Sequence, residues 1–127
     1  MKILINKKQI EKVIERNYLE ELDFKGTAVV SFNGNTKKVS ASMTGKIKIN
    51  SDELVAKYEI EDEEIKTIVK NYLEKAGYEV NSVLTKTSKG YEDFYDQEGY
   101  LDFESIEADV KNKVKEKVVK KNEICNE

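Results

Sequence analysis

The sequence predicts an α+β fold: an antiparallel sheet from two tandem β-α-β-β units, with helices packed on one face and a C-terminal basic helix. Three observations carry that expectation. Apolar residues recur at every second position in Ala28, Val30 and Phe32, then in Val39, Ala41 and Met43, and again in Ile47 and Ile49 beyond Gly45. That is the period of a half-buried strand. Two other stretches space their apolar residues at i, i+3 and i+4, the period of a helix with one buried stripe. The third observation is an internal echo. Ile5, Ile10, Val13 and Ile14 match Ile60, Ile65, Ile68 and Val69, and Asn17-Tyr18-Leu19-Glu20 then matches Asn71-Tyr72-Leu73-Glu74 after a one-residue deletion. Repetition of this kind points to a repeated structural unit.

The elements follow in order. Lys2–Ile5 reads as a short strand, and Asn6 as an N-cap whose side-chain oxygen takes an orphan helix N–H. A helix over 7–22 places Ile10, Val13, Ile14, Tyr18 and Leu22 on one stripe. Asn33-Gly34 predicts a two-residue type I′ turn, because both residues tolerate positive φ. Such a turn pairs Phe32 with Asn35, Val30 with Lys37 and Ala28 with Val39. Residues 36–49 then form one long strand, or two joined at Gly45. Leu54, Ala56, Tyr58 and Ile60 alternate as a further strand. A second helix starts near Glu61–Asp62, buries Ile65, Ile68, Val69, Tyr72, Leu73 and Ala76, and ends at Gly77, which is free to adopt the left-handed conformation. Glu59, Glu61, Asp62, Glu63 and Glu64 suit the positive end of that helix. Tyr78, Val80 and Leu84 continue as a strand. In 101–110 the alternation changes parity, from Leu101 and Phe103 to Ile106, Ala108 and Val110, which predicts a bulge near Glu104–Ser105. Val110, Val114 and Val118, with six Lys in 111–121, predict a basic helix over 111–123.

At 127 residues the chain has the size of one domain, with the repeat spanning 1–50 and 54–110. There is no His, Pro or Trp, and Cys125 is the single cysteine. Those zeros exclude a Ser-His-Asp triad, a Cys-His dyad, a zinc site of His or several Cys, and an internal disulfide. No metal or cofactor site is expected, and no carboxylate pair has a spacing that marks an enzyme. No apolar run is long enough to span a membrane, and no signal-peptide core is present. With one thiol and no export signal, a cytoplasmic location is expected. Of the 22 basic side chains only Arg16 is arginine, which argues against direct reading of duplex nucleic acid.

Two regions concentrate chemistry. Residues 85–100 are expected as a long connection between two strands of one hairpin, and connections of that length tend to be functional. Lys86, Thr87, Ser88 and Lys89 offer ammonium and hydroxyl groups to a phosphate, and Tyr91 and Tyr95 offer ring faces to a base. Lys37 and Lys38 of the earlier hairpin are expected to assist, from a neighbouring subunit if the chain is a homo-oligomer. The second region is an acidic block: Glu92, Asp93, Asp96, Glu98, Asp102, Glu104, Glu107 and Asp109 occur in 92–110 with no basic residue among them. Such a block steers association, or imitates a phosphate backbone.

In size, acidity, lysine bias and lack of catalytic residue types, the chain resembles in style the small proteins of phages and mobile elements. No motif carries the resemblance and no residue role comes with it. The leading expectation is a non-enzymatic binding protein of phage type that counters a host defence by sequestering a small phosphorylated, nucleotide-like ligand under residues 85–100. The alternatives are an acidic protein inhibitor of anti-CRISPR type, mimicking DNA, that docks on a nucleic-acid-binding enzyme through the 92–109 block, and an oligomer-forming structural module.

Overall fold

The computed structural model describes residues 1–89 and 101–112. Its elements are β1 (Lys2–Ile5), α1 (Lys7–Leu22), β2 (Gly26–Asn33), β3 (Lys38–Ile49), β4 (Asp52–Ile60), α2 (Asp62–Lys75), β5 (Tyr78–Lys89) and β6 (Leu101–Asn112). The fold is α+β, with antiparallel strands throughout.

Helix α1 begins at Asn6, whose side chain accepts from Gln9 N at 2.9 Å while the Asn6 N–H donates to Gln9 Oε1, also at 2.9 Å. Two orphan donors are satisfied reciprocally. The helix ends on Asp23, held left-handed at φ 52°, with Phe24 N–H donating back to Tyr18 O. Ile10, Val13, Ile14 and Tyr18 are buried, whereas Leu22 lies past the sheet and is exposed. In α2 the buried stripe is Ile65, Ile68, Val69 and Leu73. Each of these stands 55 positions after its counterpart in α1: 65 after 10, 68 after 13, 69 after 14, 73 after 18. The tetrapeptide echo does not keep that register. Leu73 takes the buried place of Tyr18, and Tyr72 turns outward, because one deleted residue rotates everything after it by about 100°.

The predicted turn at Asn33-Gly34 is replaced by a longer one. Asn33 pairs with Lys38, leaving a four-residue loop over 34–37. The Asn33 side chain accepts from Asn35 N and Thr36 N, Lys37 N–H donates to Asn33 O at 2.8 Å, and Lys37 takes φ 58°. Side-chain turn formation by Asn33 thus wins over the tighter turn. Ala28 consequently faces Met43, four residues further along than expected. The slip is even, so Ala28, Val30, Val39, Ala41 and Met43 keep the buried face. The turn with positive φ at both centres lies instead at Asn50 (51°) and Ser51 (73°), joining β3 to β4. The β6 bulge falls where the parity change predicts it: Lys86 pairs with Ser105 and Thr87 with Phe103, leaving Glu104 as the extra residue.

One continuous sheet was expected; the structure has two, in the orders β1-β6-β5 and β2-β3-β4. Each draws a strand from the other half of the chain, since β1 pairs with β6 and β4 with β3. At the β2 edge no further strand can add. Glu15 accepts from Ala28 N and Glu11 from Val30 N, both at 3.0 Å, so carboxylates of α1 occupy the groups another strand would need. Asp62 plays a comparable part. Rather than standing free at the helix end, it is buried, accepts from Val39 N at 2.9 Å, and pairs with Lys66 at 2.9 Å. It continues the β3–β4 hydrogen bonding past Ile60, where β4 ends. Both helices and both sheets contribute to one core, whose largest fully buried side chains include Ile10, Ile14, Met43, Ile60, Ile65 and Ile106.

The segment expected as a loop from 85 onward is strand as far as Lys89, laddered to Leu101. Lys111 and Asn112 are the end of β6 and not the start of a helix. The rest of the predicted C-terminal helix lies outside the described residues.

Candidate anion groove

The site builds from α1 upward. Its apolar stripe faces the core, and its two flanks face the free edges of two different strands. On one flank Glu11 and Glu15, one turn apart, are spent on β2. On the other, Lys12 and Arg16 are also one turn apart and therefore on the same face. They line a groove of about 360 Å³ between β1, α1 and α2. Its β1 wall is Ile3, Leu4 and Ile5, its floor includes Val13 and Leu73, and Gln9 and Tyr72 complete it.

Among the described residues no carboxylate pairs with Lys12 or Arg16. Tyr72, also at the groove, is 37 % exposed. A guanidinium fork, an ammonium, an amide and a phenol thus meet over an apolar floor. Such a set suits an anion attached to a planar or apolar body.

A second groove, about 570 Å³, is lined by α1 and α2 alone. Five of its eight lining positions stand in the 55-residue register with the first: Glu64 for Gln9, Thr67 for Lys12, Ile68 for Val13, Asn71 for Arg16, and Asn17 for Tyr72. It has no strand wall matching Ile3 to Ile5, and the charge of its lining is opposite. Glu21, Glu64 and Glu74 line it with Lys75 as the one cation among its lining residues. Glu21 accepts from Lys75 Nζ at 2.7 Å, and Glu20 stands 3.9 Å from the same nitrogen. The hydrogen bond and charge of Lys75 lower the Glu21 pKa, and those of Glu21 raise that of Lys75. This cation is already committed, whereas those of the first groove are not.

The residues expected to bind ligand are arranged differently. Lys86 and Ser88 are exposed on β5, Thr87 is half-buried opposite Phe103, and Lys89 closes the ladder. Lys37 and Lys38 are exposed at the β2–β3 turn. The Phe32 and Phe103 rings, 5.8 Å apart, bring that turn and the outer end of β5–β6 to one corner of the molecule. Tyr91 and Tyr95 lie outside the described residues, as do Glu92, Asp93, Asp96 and Glu98. Asp102 and Glu104 are exposed on β6. Glu107 faces Lys2 and Asp109 faces the amino terminus, each at 4.0 Å.

Lys12, Arg16 and Tyr72 were not singled out from the sequence. The available signal was the i, i+4 cation pair containing the chain's lone arginine, flanked by an i, i+4 carboxylate pair one position earlier. Among the described residues no cluster of three or more His, Cys, Asp or Glu is placed to hold a metal, and no helix is long and apolar enough to cross a membrane. No family model, curated protein or solved structure matches this chain.

Proposed function

We propose that this chain is a non-enzymatic binding protein that captures a small phosphorylated ligand in the groove between β1, α1 and α2. The observation that carries the reading is the Lys12–Arg16 pair, two cations with no carboxylate partner among the described residues, on a concave, apolar-floored surface. Arginine presents a planar fork to two phosphate oxygens, and lysine adds a point charge to a third. The neighbouring apolar wall of Ile3 and Leu4 offers a surface for the uncharged part of such a ligand. A protein that only holds such a molecule acts by lowering its free concentration, which is how a phage-type protein would silence a nucleotide signal in host defence. The acidic-inhibitor reading has less support, because Glu107 and Asp109 already face Lys2 and the amino terminus.

We also infer that residues 1–50 and 54–110 are two copies of one β-α-β-β unit that have exchanged their first strands. The constant 55-residue offset of the buried helix positions and the matching strand orders support this. Duplication would make the two grooves siblings, of which one became cationic.

Thermal unfolding of the full chain with millimolar inorganic phosphate, ribose 5-phosphate and nucleotides tests the binding reading. Ligand at one hundred times its Kd adds about 2.7 kcal/mol, a rise of several degrees in Tm. Arg16→Gln abolishes the rise while leaving the unliganded Tm unchanged. Equal melting with and without every phosphorylated compound would remove the proposal.

A further inference from the structure

The free edge of β1 faces the groove, and its hydrogen-bonding groups can be assigned. Met1 and Val110 exchange both backbone bonds: the Met1 amine donates to Val110 O at 3.2 Å, and Val110 N–H donates to Met1 O at 2.8 Å. Antiparallel neighbours alternate between bonded and non-bonded pairs. Ile3 with Ala108 and Ile5 with Ile106 are therefore bonded, while Leu4 with Glu107 is not. The N–H and C=O of Leu4 consequently point away from β6, toward the edge that no strand of the described residues covers, since β1 is terminal in its sheet. Within one extended residue these two groups lie side by side, a donor next to an acceptor. Leu4 is also one of the residues that line the groove.

The groove thus joins three chemistries: two cations on α1, a phenol ring from α2, and a donor–acceptor doublet on β1. Resting on the reading above, we propose that the ligand is a nucleoside monophosphate whose base is read by the free edge of Leu4. A terminal phosphate carries close to two negative charges at neutral pH, matched by Lys12 and Arg16. A nucleobase offers a flat face for Tyr72 and an adjacent donor and acceptor along its pairing edge. The volume, about 360 Å³, is near the lower end for ligand sites and suits one nucleotide better than two. The sibling groove provides the contrast: Glu64, Thr67, Asn71 and Asn17 stand where the first has Gln9, Lys12, Arg16 and Tyr72. One ligand per chain is therefore expected.

Titration calorimetry of the full chain with AMP, GMP, CMP, UMP and ribose 5-phosphate tests this, together with backbone amide spectra. At least one nucleotide should bind tenfold or more tighter than ribose 5-phosphate, at one site per chain. Its addition should move the Leu4 amide resonance further than ribose 5-phosphate does. Leu4→Pro removes the outward N–H without breaking a ladder bond, as edge strands tolerate. It should bring nucleotide affinity down to that of ribose 5-phosphate and leave the latter unchanged. Tyr72→Ala should weaken the nucleotide at least tenfold. If all four nucleotides bind within threefold of ribose 5-phosphate and the Leu4 amide stays still, the base-reading role falls and the anion groove survives. If ribose 5-phosphate and the nucleotides all fail to bind, both fall. The amide measurement uses the parent chain, so it decides even if Leu4→Pro does not fold.

Discussion

Gly26 and Gly45 face each other across β2 and β3, and Phe24 lies over the pair. A Cβ on Gly45 would come within 2.5 Å of Lys25 O and 2.8 Å of Phe24 Cζ; one on Gly26 would come within 2.4 Å of Thr44 O. Backbone cannot yield as a side chain can. Gly45→Ala should therefore cost about 2–4 kcal/mol in urea unfolding, far more than a surface Gly→Ala change. Phe24 also meets Tyr58 (5.1 Å) and Tyr18 (6.4 Å), and Tyr18 meets Tyr58 at 5.0 Å, all edge-on. Burial raises the Tyr18 pKa above its ordinary 10.0, and the charges of Glu64 and of Tyr58 raise it further. The folded state holds this proton more tightly than the unfolded chain. Its contribution is complete below pH 10.0 and lost as pH rises through the higher folded value. Tyr18→Phe should leave stability near neutral pH almost unchanged and flatten its alkaline decline, as chemical unfolding across that range would show. An equally steep decline in the variant would assign it to other groups.

Among the elements, α1 has the most varied tasks. Its stripe and cap were readable, because capping and the 3.6-residue period are local properties. That Glu11 and Glu15 reach backbone N–H groups of Ala28 and Val30 was not, since nothing near a glutamate announces a strand edge arriving from elsewhere. Replacing both with Ala should cost about 2–3 kcal/mol for the pair. It should also open the β2 edge to pairing between molecules, seen as light scattering that grows with concentration. A fully stable, monomeric double variant would show that water serves the edge equally well. The hairpins teach a similar lesson. Alternation set the faces of β2 and β3, but the competition between Asn33's own side chain and a tight turn set the register.

In the whole molecule, β1 completes the sheet of the second half and β4 that of the first. In the structure neither half closes its sheet with its own first strand. Residues 1–50 and 52–127 made as separate chains should lack a cooperative melt individually and regain the full helical circular dichroism on equimolar mixing. A monomeric half that melts cooperatively by itself would show that its own first strand serves its sheet as well as the exchanged one. The groove also exists only at this scale, because β1, α1 and α2 meet across nearly 70 positions of sequence between Ile3 and Tyr72. Sequence composition points instead to the aromatics and hydroxyls crowded in 85–100. The structure puts Lys86 to Lys89 in a ladder, and the uncommitted cations on a helix.

The sequence by itself determined the α+β class, both helices, the buried faces of β2 and β3 and the bulge at Glu104, because each depends on neighbours within a few residues. Only the tertiary structure decided that there are two sheets, which carboxylates close the β2 edge, and that Lys12, Arg16 and Tyr72 share a groove. Those outcomes rest on which backbone groups and charges, distant in sequence, become partners in the folded chain. Among the described residues Lys12 and Arg16 of α1 have no carboxylate partner, while Lys75 on α2 is held by Glu20 and Glu21.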